Sequence, residues 1–418
     1  MKFLSKKRSN LVFLTLLCAF FLSHAPSASA ATTAKITPTV KLEVSGWIPY
    51  WRTATGTADV LPNLNKLTEV NPFGYTVKMD GTLYNALQIE KKEWQTLIKA
   101  AKAKKVRVIP TVMWSDTASI HAVLSDPALR SKHVKQIVDT VVSNNFDGID
   151  IDYEGKLAED KDNYSAFLKE LSVAFGTKKA NKWLMCTIEA RMPLSARYSG
   201  AIPPGIEYAN DLPMINKYCD RVRIMTYDQG TADVELNKAH KTEVYAPIAD
   251  TAWVEKVVNY MAQDIERKKM VVGVATYGYD YQVMPNVDGS GYSYDLLEAF
   301  NPRYATDVAK EYGITPIRNS AGELSFSYIP KETSKSLPTQ AQVSLSAPKG
   351  TVGANLAAAG ALALVKSNNT QAPFHVLWWS DAGAIKSKVA LAKKLGVKGI
   401  AIFKFDGGQD PAMWSVLP

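Results

Sequence analysis

The feature that most constrains the fold is a series of short apolar runs that alternate with longer stretches of helical periodicity. The first run begins near Leu42 and the last ends near Phe403. In chain order the runs are LEVSGWI, FGYTV, VRVIPTVM, GIDIDY, WLMCTIEA, RVRIMTY, VVGVATYG and GIAIF. Strands separated by helices in this way predict a closed, parallel (β/α)8 TIM barrel of the α/β class. An open doubly wound sheet is the alternative, but no glycine-rich phosphate loop follows the first strand.

One interval is too long to be an ordinary loop of such a barrel. About ninety residues separate YGYDY, which ends at Tyr281, from HVLWWSD, which starts at His375. The interval contains its own helical segment, PRYATDVAKEYG, and a strand-like segment, ELSFSYIP. We therefore expect a small α+β insertion at about residues 282–374, after the seventh strand, within a single catalytic domain that spans 41–418.

The N-terminus has the pattern of a secretory signal peptide. A basic segment is followed by the apolar run LVFLTLLCAFFL and by the small residues APSASA, which predicts cleavage after Ala30. Residues 1–30 are thus assigned to the signal peptide and the Thr-rich residues 31–40 to a linker. A membrane anchor is the alternative, but the apolar run is short for a bilayer. A lipid on Cys18 is disfavoured because Leu17 precedes it where a small residue is needed.

The charge of the mature chain restricts its partners. Removing four basic residues with the signal peptide leaves 45 Lys and Arg against 40 Asp and Glu, a net charge of about +5. No dense basic cluster is interleaved with aromatic residues, so nucleic-acid binding is not expected. We expect a secreted monomer that has no membrane contact after cleavage and that could associate with an anionic cell wall.

Only Cys186 and Cys219 remain in the mature chain. Two buried thiols are the favoured interpretation, and a single bridge between them is the alternative.

Three acidic residues alternate along the fourth predicted strand. Asp150, Asp152 and Glu154 lie in the segment NNFDGIDIDYEGK, and residues at i, i+2 and i+4 of a strand share one face. In a barrel that face points inward, and its C-terminal end opens at the catalytic mouth. Neighbours about 6.6 Å apart would repel by about 2.5 kcal/mol at an effective dielectric of 20, or nearly two pKa units. The row is therefore expected to hold a shared proton near neutral pH, as a general acid requires.

An acidic strand end used for solubility or for a metal ion is the alternative interpretation. The inward alternation argues against solubility, and the neighbouring aromatic residues suit a sugar better than a metal. Because Asp152 and Glu154 point the same way, Asp152 is badly placed to attack a sugar from the opposite face. The nucleophile must come from elsewhere, and the acetamido oxygen of an N-acetylated substrate would serve.

These residues resemble a known family. DGIDIDYE is similar to the DxxDxDxE signature of glycoside hydrolase family 18, the chitinases and related N-acetylglucosaminidases. MTYD, YGYDY and HVLWWSD resemble later motifs of the family and occur in the same order. GWIPYW and PFGYTVKMDGTLYN resemble the first two strands of a bacterial subgroup linked to spore and cell-wall glycans. The resemblance covers nearly the whole mature chain.

The resemblance implies roles for individual residues. Glu154 would protonate the glycosidic oxygen, Asp152 would orient the acetamido group as it closes to an oxazolinium ion, and Asp150 would share a proton with Asp152. Tyr227 and Asp228 would hydrogen-bond the N-acetyl group. Further substrate contacts, several of them through stacking, are expected from Met225, Trp47, Tyr50, Trp51, Trp379 and Phe403. No cofactor and no metal are implied.

Two departures from the family pattern bear on the substrate. The third strand lacks the family's SxGG pattern, and Phe403 stands where the family usually has Trp, which leaves a smaller stacking face. The resemblance implies cleavage of β-1,4-linked N-acetylglucosamine glycans with retention of configuration, and both chitin and peptidoglycan stay open. The alternative is a non-catalytic, lectin-like sugar-binding protein on the same barrel. Such relatives typically lose the acid, whereas Glu154 is present here.

Overall fold

The protein is a barrel of parallel strands, as expected. The computed structural model describes residues 41–177, 182–241, 243–331 and 337–418. The predicted signal peptide and linker lie outside these residues. The strands are β1 Glu43–Pro49, β2 Glu69–Val77, β3 Leu83–Asn85, β4 Arg107–Val108, β5 Thr111–Trp114, β6 Gly148–Tyr153, β7 Trp183–Glu189, β8 Arg221–Met225, β9 Met270–Ala275, β10 Gly278–Pro285, β11 Tyr292–Phe300, β12 Ile317–Arg318, β13 Leu324–Tyr328, β14 Phe374–Trp379 and β15 Gly399–Phe403.

Helices follow most of the barrel strands and cover the outside of the barrel. They are α1 Thr53–Val60, α2 Lys92–Ala103, α3 Thr117–Ser125, α4 Pro127–Ser143, α5 Lys161–Thr177, α6 Leu194–Arg197, α7 Leu212–Tyr218, α8 Val234–Ala239, α9 Thr251–Met261, α10 Pro302–Tyr312, α11 Gln340–Ser346, α12 Leu356–Asn368, α13 Ala382–Leu395 and α14 Met413–Val416. Among the described residues, no helix is long and apolar enough to cross a membrane.

Helix ends are specified locally by the sequence. Asp126 caps α4 by accepting hydrogen bonds from Ala128 N at 2.7 Å and Leu129 N at 3.1 Å. Gly396 ends α13 in the left-handed conformation, with φ of 67°. These two signals fix where α4 begins and where α13 ends.

The barrel closes in the order β1, β15, β9, β8, β7, β6, β5, β2, and β2 pairs again with β1. Each of these neighbours is parallel to the next. The third predicted strand is broken into β4 and β5. Pro110 lies in the break, where it lacks an N–H for the ladder, but its carbonyl still accepts from Asp150 N at 2.9 Å.

The insertion forms a second, antiparallel sheet with the order β11, β10, β14, β13, β12. This sheet runs from Gly278 to Trp379, a few residues beyond the expected interval at each end. Glu323 joins it to the barrel, since its carboxylate accepts from Ile248 N at 2.9 Å, Ala249 N at 3.0 Å and Trp378 Nε1 at 2.7 Å. The insertion thus stands at a defined position beside the loops that follow β8.

The favoured interpretation of the cysteines was wrong. Cys186 and Cys219 form a disulfide between β7 and the segment that follows α7. Cys186 pairs with Val222 of β8, so the chain just before β8 comes close, and the two Cα atoms are 6.0 Å apart. The two cysteines are 33 residues apart in the sequence, and in the chain-entropy description a bridge that closes a loop of this length stabilises the folded state by about 4 kcal/mol. The sequence spacing does not reveal this proximity, because it arises from the pairing of the strands.

Candidate active site

Asp150 lies at the centre of the barrel and is fully buried. Its Oδ2 accepts from Trp47 Nε1 at 3.0 Å and from Thr111 Oγ1 at 2.8 Å, and its Oδ1 accepts from Thr187 Oγ1 at 2.8 Å. Arg223 Nη1 lies 2.7 Å from Oδ2. Strands on both sides of β6 and across the barrel therefore hold this carboxylate in place.

The sharing of a proton between Asp150 and Asp152 stays a prediction. Asp150 itself is surrounded by four donors from other strands. Arg223 of β8 adds a positive charge next to Asp150 and also contacts Glu69. A buried cation thus lies beside the deepest acid of the row and is shared with a second carboxylate.

Asp152 is the carboxyl group that favours a proton. It is 5 % exposed, and its Oδ1 is buried without a hydrogen-bond partner in the described part of the chain. Burial raises the pKa of Asp152 well above its usual value, and the carboxylates of Glu154 and Asp150 raise it further, while Lys156 opposes them. An unpaired oxygen at this depth can accept an N–H from a bound substrate.

Glu154 stands at the mouth of the barrel, directly after β6. Its backbone N–H donates to Trp114 O at 2.8 Å, which continues the strand pairing up to the acid. Burial raises the pKa of Glu154, and the carboxylates of Glu189 and Asp228 add to this, against the effect of Lys156. A carboxyl group with a raised pKa at a cleft mouth is suited to donate a proton.

A cleft of about 430 Å³ opens beside Glu154. Residues from the ends of β7 and β8 and from the following loops line it, including Glu189, Met225, Tyr227 and Asp228. A larger cavity of about 610 Å³ lies in the insertion, but no member of the acidic row lines it. We therefore place the site at the smaller cleft, where the carboxyl groups converge.

Asp228 and Tyr227 are held in place by other aromatic residues. Asp228 Oδ1 accepts from Tyr277 Oη at 2.5 Å and from Tyr279 Oη at 2.7 Å. Tyr227 is 8 % exposed and stacks on Phe403, with ring centroids 5.8 Å apart. The sequence motif MTYD thus supplies Asp228, which is oriented by tyrosines about fifty residues away, and Tyr227, which packs on a residue of the last barrel strand.

Aromatic rings continue from this point to the rim of the barrel. The Phe403 ring lies 5.9 Å from Phe73, and Phe73 lies 6.0 Å from Trp51. Trp51 is 48 % exposed and Tyr50 is 39 % exposed, and the two rings are in edge contact. Phe403, Trp51 and Tyr50 therefore lie where a sugar chain can reach them.

Two predicted stacking residues lie elsewhere. Trp47 is 2 % exposed inside the barrel, where it binds Asp150, so it orients the acidic row rather than facing the cleft. Trp379 is 3 % exposed and packs against Phe300 and Phe326 in the core of the insertion. Both expectations of substrate contact are corrected, because an aromatic residue at a strand end can point into the core as readily as into a cleft.

Three charged residues at the site were not singled out from the sequence. Arg223 could have been found from the sequence, because its side chain points into the barrel from a strand and a buried cation requires an anion beside it. Glu189 ends β7, and Asn210 Nδ2 donates to its Oε2 at 2.6 Å. Lys156 follows the acid by two residues but has a nearly inaccessible side chain.

The described residues contain no group of three or more His, Cys, Asp or Glu side chains placed to hold a metal ion. The arrangement instead offers a proton donor, an unpaired acceptor beside it and an aromatic floor.

Comparison with known proteins shows the family of the chain. The model of the family "Glycosyl hydrolases family 18" matches residues 45–408. The chain is 20% identical to the glycosylase YvbX of Bacillus subtilis over 71% of its own length and 67% of that protein. Several other curated relatives are matched over less than half of their length.

Solved structures share the fold. The spore cortex-lytic enzyme SleL of Bacillus cereus superposes with a TM-score of 0.63 at 20% identity, over 90% of this chain and 73% of that one. A chitinase from Chromobacterium violaceum superposes with a TM-score of 0.63 at 18% identity, over 90% of this chain and 98% of that one. With the barrel, the acidic row and the family match over residues 45–408 together, the chain belongs to glycosyl hydrolases family 18.

Proposed function

We propose that the protein is a secreted enzyme that hydrolyses β-1,4-linked N-acetylglucosamine glycans with retention of configuration, and that Glu154 is its acid and base. The observation that carries the proposal is the pair Asp152 and Glu154, which follow each other on one face of β6 at the cleft. Asp152 has an unpaired buried oxygen, and the pKa of Glu154 is raised by burial.

The order of steps follows from this placement. Glu154 protonates the glycosidic oxygen, and the bond from that oxygen to the anomeric carbon breaks. The acetamido oxygen of the same sugar attacks the anomeric carbon and forms an oxazolinium ion. Asp152 accepts a hydrogen bond from the N–H of this ion. Glu154 then removes a proton from a water molecule, whose oxygen attacks the anomeric carbon from the β face. This attack opens the oxazolinium ring and restores the acetamido group.

Glu189 is another carboxylate close to the acid. It comes from β7, the strand next to β6, and it is already engaged by Asn210. A carboxylate nucleophile would need to approach the sugar from the side opposite to Glu154. The neighbouring strand is a poor origin for that approach, which favours attack by the substrate itself.

The substrate class is supported by relatives of two kinds. SleL is named a spore cortex-lytic enzyme, and the Chromobacterium protein is named a chitinase. Both names fit glycans that contain N-acetylglucosamine, in peptidoglycan and in chitin respectively. Secretion is supported by the predicted signal peptide and by the disulfide, which is typical of oxidising compartments.

Purified protein should be incubated with chitin oligomers and with purified peptidoglycan, and the products identified by mass spectrometry. Proton NMR of the first product should show the β-anomer, and a thiazoline analogue of the cyclic intermediate should inhibit. A substrate with a free amine at the cleaved sugar should resist hydrolysis, because it lacks the carbonyl oxygen. An initial α-anomer, or efficient cleavage at a deacetylated sugar, would overturn the mechanism. Binding without hydrolysis of either glycan would favour the lectin-like alternative.

A further inference from the structure

The chain reverses direction directly after the catalytic acid. Gly155 has φ of +69°, in the left-handed region where a Cβ is strained, and its carbonyl accepts from Thr117 Oγ1 at 2.8 Å. This turn sends Lys156 back toward the barrel instead of outward along the line of β6. The side chain of Lys156 is 1 % exposed.

Lys156 is held at a defined position beneath Glu154. Its ammonium group donates to Tyr153 O and lies 4.8 Å from the centre of the Tyr164 ring. Its Nζ is 4.0 Å from Glu189 Oε1. Burying a lysine costs free energy unless anions compensate for lost hydration, so this placement calls for a function.

Glu189 holds the opposite charge on the neighbouring strand. Its side chain is 45 % exposed in the cleft, and Asn210 fixes its Oε2. Glu154 therefore has a buried cation and a half-exposed carboxylate near it, and these two charges also contact each other. Neither residue makes or breaks a bond in the proposed reaction.

We propose that Lys156 and Glu189 form a positioning pair, which holds one positive and one negative charge beside Glu154 and thereby sets the pH range of catalysis. The inference rests on the proposed function, because it concerns the acid of that reaction. The two charges act in opposite directions, since Lys156 favours the ionised form of Glu154 and Glu189 favours the protonated form.

Other charged groups around the acid come from three further positions. Asp152 lies below Glu154 on β6, Asp228 faces it from the loop after β8, and Asp150 with Arg223 lies deeper in the barrel. Lys156 lowers and Glu189 raises the pKa of Asp152 as well as that of Glu154. Replacing either member of the pair therefore moves the pKa values of both acids in the same direction.

The test is the pH profile of kcat/KM for Glu189→Gln, Lys156→Met and the double variant. Glu189→Gln should move the alkaline limb to lower pH by about half to one unit, because Glu154 then loses its proton more easily. Lys156→Met should move the same limb to higher pH by a similar amount, and the double variant should lie between them. Lys394→Met, which breaks an exposed ion pair with Glu255 at 2.9 Å, is the matched control and should leave the profile unchanged.

A purely structural role would lower activity without moving the limb, or would move it the same way in both variants, and either result would overturn the proposal. If Lys156→Met does not fold, Glu189→Gln still decides, since its side chain is half exposed. Carboxyl ¹³C NMR titration of Glu154 measures the same shifts without turnover. If the variants shift the titration of Glu154 as expected but the protein hydrolyses neither glycan, the proposed function is contradicted and the positioning pair is supported. If the protein hydrolyses a glycan but the alkaline limb does not move, only the positioning pair is contradicted.

Discussion

Three carboxyl groups on one strand face have different environments, and the environment of each suggests its task. Asp150 is surrounded by donors and by Arg223. Asp152 has an unpaired oxygen and a raised pKa because it is buried. Glu154 lies at the cleft, where burial is partial and other carboxylates raise its pKa. The same functional group thus has three roles: Asp150 is an anchor, Asp152 is a hydrogen-bond acceptor and Glu154 is a proton donor.

The role of Glu154 predicts the effect of one atom's replacement. Glu154→Gln keeps the shape of the side chain but cannot donate the proton, so activity should fall by at least about 100-fold while glycan binding is retained. Steady-state kinetics and isothermal titration calorimetry measure the two quantities. Glu159→Gln, at a nearby residue whose side chain is 66 % exposed, is the control and should keep full activity. A fully active Glu154→Gln variant would remove the assignment.

At the scale of the element, β6 carries the site on one face and the core on the other. Ile149, Ile151 and Tyr153 alternate with the acids and are completely buried. Tyr153 packs on Phe167 of α5 and donates its hydroxyl to His133 Nε2 of α4 at 2.5 Å. The apolar face therefore fixes the height at which the acids meet the cleft.

His133 makes the attachment of this strand dependent on pH. Its Nδ1–H donates to Gly81 O at 2.7 Å, and its Nε2 accepts from the Tyr153 hydroxyl when the ring is neutral. Burial lowers the pKa of His133 to about 4 from an ordinary value of 6.5. The unfolded chain therefore binds a proton that the folded chain resists, and the free energy of unfolding should fall as pH drops from about 6.5 to 4, by about 3 kcal/mol in all.

Urea denaturation at several pH values, compared between the native protein and His133→Gln, isolates this contribution. Asp152 and Glu154 have raised pKa values and affect stability in the opposite direction, but they are common to both proteins. The variant should be less stable at pH 7 and should lose part of the decline toward pH 4. His121→Gln, the control, removes an imidazole that is 42 % exposed, and this variant should keep the full decline in stability toward pH 4. An unchanged decline in His133→Gln would contradict the inference.

At the scale of the molecule, the insertion and the disulfide add constraints that the barrel alone does not have. Glu323 connects the insertion to the segment before α9, and Lys388 lies 3.6 Å from the same carboxylate. The disulfide joins two neighbouring parts of the barrel wall below Glu189. Glu189, at the end of the bridged strand, lines the cleft.

The bridge and the N-terminal pattern together predict export. The exported protein should begin near Ala31, because small residues follow the apolar run. It should also contain no free thiol under denaturing conditions, because both mature cysteines are bonded. N-terminal sequencing of culture and wall fractions, with thiol titration, measures both. An exported form that retains Met1, or that carries a lipid on Cys18, would contradict the predicted processing.

The sequence by itself determined the barrel and the position of the acidic row. Alternation with a period of two is a local property, so it assigns Asp150, Asp152 and Glu154 to one face without knowledge of the rest of the chain. The break at Pro110 was equally local, because it follows from a missing N–H, although the sequence was interpreted as one continuous strand there.

Only the tertiary structure decided what surrounds that row. The disulfide, the inward turn of Trp47 and the contact between Arg223 and Asp150 all join residues that are far apart in the chain. Alternation says which side of a strand a residue occupies, but not its depth in the barrel or its partner on another strand. Those depend on the register of paired strands and on the volume that the other side chains leave free, and neither is a local property of the sequence.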